Sequence, residues 1–152
     1  MDGVILCAAP TPYATALHPD ASEATLRFLS SSMAMTLAPL AEALALLSPG
    51  GWLVLASSSA LDDLPETSPH QVIAKAALEG AAVYCARHTH ARVLVVRPPR
   101  MWTDSTNTPM GRLAGVPREQ VAAAVVRWAT REDKPNAAAN GASLLRPEDL
   151  LG

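Results

Sequence analysis

The chain has 152 residues, enough for one globular domain with a core. Its net charge is −2 and its basic residues are scattered without aromatic interleaving, which argues against a nucleic-acid surface. Hydrophobic residues make up 49% but aromatics only 4%, so small aliphatic side chains must build the interior, and a charged fraction of 17% leaves a weakly polar surface that favours a covered face.

Residues 4–9 form a short continuous apolar run closed by Pro10, the pattern of a strand buried on both faces. Residues 10–25 are rich in Pro, Thr, Ser and Asp and read as a loop. A helix is predicted over 22–47, with Leu37, Leu40, Leu44 and Leu47 along one face and Pro39 placed to kink or split it. Ser48-Pro49-Gly50-Gly51 stops it. Residues 52–56 are a second buried strand, with Ser57, Ser58 and Ser59 at its carboxyl end. A polar loop over 60–69 leads into a helix over 69–87, which Pro69 opens in the first turn, where a missing N–H is no loss.

Residues 92–96 are a third buried strand, stopped by Pro98-Pro99. The loop over 98–115 is longer than most connections of its kind. A helix over 117–130 puts Val121, Val125 and Trp128 on one face, and 142–145 offers a short last strand. No internal repeat is visible. No run reaches 18 uninterrupted apolar residues, so no membrane span is expected. Met1-Asp2-Gly3 lacks the basic start of a signal peptide. Cys7 and Cys85 have no metal-like spacing and read as buried, reduced thiols of a cytoplasmic protein.

Alternating strands and helices predict an α/β fold: a truncated, Rossmann-like three-layer αβα sandwich with a mostly parallel sheet. It reads as a single domain over 1–152, with a core over about 3–131 and a tail over 132–152. Such a sheet leaves one edge open where further strands normally pair.

The order of these pieces resembles the carboxyl-terminal half of the short-chain dehydrogenase/reductase family. Asp2-Gly3-Val4-Ile5-Leu6-Cys7-Ala8-Ala9 looks like the family's central strand. Gly50-Gly51-Trp52-Leu53-Val54-Leu55-Ala56-Ser57-Ser58 looks like the next strand, which delivers the catalytic serine. Gln71-Val72-Ile73-Ala74-Lys75 stands where the family has Tyr-x-x-x-Lys, and Ser58 precedes Gln71 by the spacing common in short members. Arg92-Val93-Leu94-Val95-Val96-Arg97-Pro98-Pro99 looks like the strand after that and the loop along the nicotinamide. Ser30-Ser31-Ser32-Met33 falls where the family carries a helix asparagine.

The resemblance implies a relict catalytic set of Ser58, Gln71 and Lys75. In the family the tyrosine moves a proton at the substrate oxygen, the lysine lowers its pKa and holds the ribose, and the serine orients the substrate. An amide at Gln71 neither titrates near neutral pH nor supplies that proton. His70 titrates in the right range, but one position along a helix is a turn of about 100°, so it reads as a solvated histidine at the helix start. The Gly-rich loop that receives a pyrophosphate at a helix N-terminus is also missing, since Gly50-Gly51 precedes a strand instead of following one. No active catalytic residue, no bound cofactor and no metal are expected.

The remaining polar groups have plain readings. Ser58 is either that relic or a strand-end serine that satisfies backbone groups. Without a cofactor, Lys75 reads as a solvated or salt-bridged helix lysine. Asp62, Asp63 and Glu66 read as a hydrated loop rather than a hydrolytic pair. His88 and His90 lack a third ligand. Arg97, Arg100, Asp104 and Arg112 flank the long loop and read as pairing with one another rather than gripping an anion.

In the related family, the helix bearing the lysine and the long helix before it pack against their copies in a partner subunit. Here Ala74, Ala77, Gly80 and Ala81 would let helices approach closely. The expected function is therefore a non-catalytic, truncated domain that forms a homodimer or docks onto a larger enzyme. Its partners would be neither nucleic acid nor membrane, and its setting would be a multidomain biosynthetic system of polyketide or fatty-acid type. Two alternatives stay open: a reductase, dehydrogenase or epimerase fragment whose cofactor half lies elsewhere, and a ligand-binding regulator.

Overall fold

Four short apolar runs pair side by side in the computed structural model, which describes residues 1–102, 115–130 and 141–150. They are β1 (Gly3–Leu6), β2 (Trp52–Ala56), β3 (Arg92–Val96) and β4 (Ser143–Leu145). All are parallel, in the order β1-β2-β3-β4, with Ile5 opposite Val54, Val54 opposite Leu94 and Val96 opposite Leu145. The helices are α1 (Ser22–Leu46), α2 (Ala60–Asp63), α3 (Pro69–His88), α4 (Arg118–Ala129) and α5 (Pro147–Leu150), with a 3-10 turn at Pro19–Ala21 leading into α1.

Because successive strand residues point to opposite faces, the core is split in two. Leu53, Leu55, Val93 and Val95 pack with Leu40 of α1 and with Leu78, Ala82 and Cys85 of α3. Val54, Leu94 and Val96 pack on the other face with Val121, Ala124, Val125 and Trp128 of α4. This is the expected three-layer αβα arrangement. α1 and α3 join neighbouring strands across one face. α4 joins β3 to β4 across the other while moving in the same lateral direction, so its crossover has the opposite hand. The Arg92 guanidinium lies 5.0 Å from the Trp128 ring centre and donates to the Ala129 carbonyl oxygen at 3.0 Å, fixing the end of α4.

Several expectations are corrected. β1 stops at Leu6, before Ala9, and is not buried on both faces: it is an edge strand, and Ile5 is 52% exposed. The reason is that β1 has a partner only on the β2 side, and no helix among the described residues covers Ile5. Gly3 accommodates Trp52, whose indole occupies the space that a side chain there would fill. Cys7 is exposed, whereas Cys85 is buried and its thiol is pushed up in pKa by desolvation.

α1 turns three of the four predicted stripe leucines inward: Leu40 is buried and Leu44 and Leu47 pack against the same core, while Leu37 is 50% exposed. Toward its start the buried side continues through Thr25, Phe28, Ser32 and Thr36, with Ala43 buried near its end. Small hydroxylated residues let α1 lie close to α3, and the Thr36 hydroxyl is satisfied by donating to the Ser32 carbonyl oxygen at 2.9 Å. Pro39 neither splits nor ends the helix; it sits on an exposed side, where the Met35 carbonyl that loses its donor can be hydrated. With its entry turn, α1 is long and apolar enough to cross a membrane by length and composition, one 18-residue window within Pro19–Leu46 having a mean hydropathy of 1.3, although polar residues interrupt it as expected. A crossover helix between two paired strands is nonetheless tied to the sheet as long as those strands stay paired.

The polar loop after β2 contains the single helical turn α2, ended by Leu64 in the left-handed region at φ 45°. Of the long loop after β3, Arg100 and Met101 are described and Met101 bridges Val116, whereas Asp104 and Arg112 lie outside the described residues.

Candidate functional site

The segment after β1 and the facing sides of α1 and α3 line a cavity of about 40 Å³. Phe28, Ser32 and Thr36 line it from α1, Gln71 and Lys75 from α3, and Ala8 from the segment after β1. Two of the three expected positions, Gln71 and Lys75, thus share one cavity. Ser58 does not line it. Its hydroxyl accepts from the Ala60 amide at 3.2 Å and shapes the entry to α2, the plain reading of a strand-end serine. Among the serines that could stand for the family's helix asparagine, Ser32 is the one in the cavity wall.

Lys75 is neither solvated nor held by a carboxylate, contrary to expectation. Its ammonium donates to the Ala56 carbonyl oxygen, at the end of β2, at 2.7 Å. Desolvation lowers its pKa from the ordinary lysine value, and the neighbouring Cys7 and Glu79 pull it partly back. With its cation committed to a main-chain carbonyl, the site offers a hydrogen-bond donor, an amide and hydroxyls. Lys75 is the titratable side chain among the described lining residues.

His70 is not a solvated helix-start residue. It is 0% exposed, its ring stacked on Tyr13 at 4.3 Å and met edge-on by Phe28 at 4.5 Å. Neither ring nitrogen finds a hydrogen-bond partner among the described residues. Burial lowers its pKa, so the fold favours the neutral ring. The segment carrying Tyr13 is pinned across α3's start by the Thr15 amide, which donates to the Thr67 carbonyl oxygen at 2.9 Å.

A charged cluster that sequence reasoning missed stands beside the cavity. Arg97, just after β3, donates to both carboxylate oxygens of Glu79 on α3, at 2.8 and 2.7 Å, and to Asp62 of α2 at 2.6 Å. The buried Ser57 hydroxyl donates to Glu79 at 2.6 Å. The Glu79 hydrogen bonds, more than any other cause, hold the guanidinium's pKa above its ordinary value. Arg97 therefore pairs with carboxylates on α2 and α3, and Asp62 is an ion-pair partner rather than a hydrated loop residue, while the expected pairing with Asp104 lies outside the described residues. The cluster ties three elements together at the carboxyl end of the sheet.

The four small residues expected at an interface divide between two sides of α3. Ala74 is buried and Ala81 packs against the core shared with α1, whereas Ala77 and Gly80 face outward, where a side chain at Gly80 would meet nothing within 4 Å. Ile73 and Tyr84 share the outward side. His88 lies beside the Tyr84 ring at 4.6 Å, and no three metal-ligating side chains converge among the described residues.

No protein-family profile and no curated protein matches the sequence. Solved structures do match in fold. The angucycline C-6 ketoreductase LanV with bound NADP superposes with a TM-score of 0.76 at 18% identity, over 100% of this chain and 63% of that one. A short-chain dehydrogenase from Burkholderia cenocepacia in complex with NADP gives 0.76 at 20% identity, over 98% and 64%. An NADPH-dependent 3-quinuclidinone reductase from Rhodotorula rubra gives 0.72 at 18% identity, over 100% and 62%. The chain thus has the fold of part of a short-chain dehydrogenase/reductase domain and spans less than two-thirds of these proteins' length.

Proposed function

We propose that this protein is one partial reductase-like domain without catalytic activity of its own, and that it serves assembly by pairing with a second copy through the outward sides of α1 and α3. The observation that carries this reading is the apolar residues that α1 and α3 leave exposed. Phe28, Leu40 and Ala43 of α1 are buried with Thr25, Ser32 and Thr36, yet Leu26, Met35, Leu37 and Leu46 remain exposed, joined by Ile73 and Tyr84 of α3. Exposed apolar side chains of this size are of the kind that subunit interfaces cover. Ala77 and Gly80 between those side chains permit close helix approach.

Loss of catalysis rests on Gln71. The proton carrier that a ketoreductase needs at this position is an amide, and Lys75 is held by the Ala56 carbonyl. We infer a multidomain biosynthetic setting of polyketide or fatty-acid type from the family likeness, with a ketoreductase among the structural neighbours in support. A second reading is a reductase fragment completed by a cofactor-binding half elsewhere. It draws on the NADP-bound neighbours and is weighed down by the same glutamine.

Light scattering at micromolar concentration is expected to give a dimer. Ala77→Arg or Leu37→Arg should weaken it at least tenfold without altering the far-UV circular dichroism. Calorimetry with NADPH should give no saturable heat. A monomer across the micromolar range would sink the assembly reading, and a micromolar Kd for NADPH would favour the fragment reading.

A further inference from the structure

On the α4 side of the sheet, an open apolar groove of about 290 Å³ runs between α4 and the free edge at β1. Its floor is Ile5 and Val54, and Cys7 stands at its upper rim. Its far wall is the flank of α4 formed by Arg118, Ala122 and Val126, a ridge at four-residue spacing with a small residue in the middle. Ile5 and Val126 are each more than half exposed, and Trp52, lying over Gly3, limits the groove toward the amino end of β1. Beside the groove, β1 pairs only with β2, so its outer row of backbone groups is free among the described residues.

We propose that this edge and groove together dock a strand–helix segment of another polypeptide. Its strand would add parallel to β1, and the helix after that strand would lie on Ile5 alongside α4. Two demands meet at one residue run: β1 needs backbone partners on its outer edge, and Ile5 needs apolar cover on one face. A strand leading into a helix that folds back on that face meets both.

A second copy meets only one. Pairing two β1 edges about a two-fold axis would leave the two copies of β3, over which α4 lies, five strand spacings apart, about 24 Å. Packed helices sit about 8–10 Å apart, so a helix-wide gap would remain over both copies of Ile5. The solved structures of the same fold carry more than a third of their chain outside the match, which is the kind of segment the edge would receive. This inference rests on reading the chain as part of a reductase fold and is independent of the α1 and α3 dimer, which lies on the other face.

Cys7 is exposed and Cys85 is buried, so Cys7 can carry a benzophenone maleimide selectively. The labelled chain would be irradiated in extract from its source cells and the adducts sequenced. The expected adduct lies in a segment whose short apolar run leads into a helical apolar period. It should fall at least tenfold with Ile5→Arg and with Val126→Arg, and stay unchanged with Leu37→Arg. That segment, made as a synthetic peptide, should slow hydrogen exchange at the outer β1 amides at least tenfold. Both groove residues are largely exposed, so their variants should keep the parent melting temperature. An adduct only to a second copy, an adduct indifferent to both groove substitutions, or no adduct would overturn the proposal. Because Leu37→Arg disrupts only the dimer face, failure of the dimer and failure of the groove give different patterns.

Discussion

The two faces of the sheet are finished to different degrees. One carries two long helices, α1 and α3, which cover Leu53, Leu55, Val93 and Val95 and then display a second apolar surface outward. The other carries the 12-residue α4 and the short α5, which cover β2 through β4 and leave Ile5 bare. The sequence builds both faces from similar valine and leucine runs. What separates them is how much helix the described residues supply to each, and the surplus on one face and the deficit on the other both fit partners.

The largest expected effect tests the closed face. Leu55 is fully buried, so Leu55→Ala should cost about 2–5 kcal/mol in a denaturant melt. A loss below about 1 kcal/mol would mean that this face is looser than the packing implies. Next comes the clamp at the carboxyl end of the sheet. Arg97→Met leaves Glu79 and Asp62 without their cation, and the side chains of the Arg97–Glu79 pair are only 15% and 18% exposed. A loss of about 2–4 kcal/mol is expected, just under the range for breaking a fully buried pair. A neutral result would show that water replaces the guanidinium without penalty.

A smaller effect depends on pH. Unfolded, His70 takes up a proton near pH 6.5; folded, burial holds it neutral to lower pH. Between those values the unfolded chain binds more protons, so stability should be full above about pH 6.5 and decline as the pH falls below it. His70→Phe should remove that part of the slope in urea midpoints measured from pH 7.5 to 5. An unchanged slope would assign the acid sensitivity to other groups. The smallest effect closes the comparison: Ile5→Ser on the open face should move stability by about 0.5 kcal/mol or less. A loss matching that of Leu55→Ala would mean that Ile5 is already covered.

Much of the fold is written locally. β2 and β3 arise from apolar runs bounded by Gly50-Gly51 and Pro98-Pro99, and α3 from Pro69 in its first turn and the alanine-rich stretch behind it. An open sheet edge is expected, but the apolar run of β1 reads as buried on both faces, because a local run carries no mark of which strand has a partner on one side only among the described residues. The inward side of α1 is legible only in part: the leucine period finds Leu40, Leu44 and Leu47, whereas close packing against α3 also selects Thr25, Ser32 and Thr36. At the site, helix spacing correctly put Gln71 beside Lys75. It missed what crosses the fold: Tyr13 covering His70, the Ala56 carbonyl holding Lys75, and Glu79 reaching Arg97 from another element. Ion pairs between separate elements leave no periodic trace in the sequence.

The opposite hand of the α4 crossover has a consequence for the order of folding. β1, α1, β2, α3 and β3 succeed one another and build most of one face before any residue of α4 occurs in the chain; only Ala142 and Leu144 join it later. A ribosome therefore releases this βαβαβ unit while its other side, Val54, Leu94 and Val96, is still wet. For as long as translation needs to reach Trp128, that bare sheet is an aggregation-prone surface.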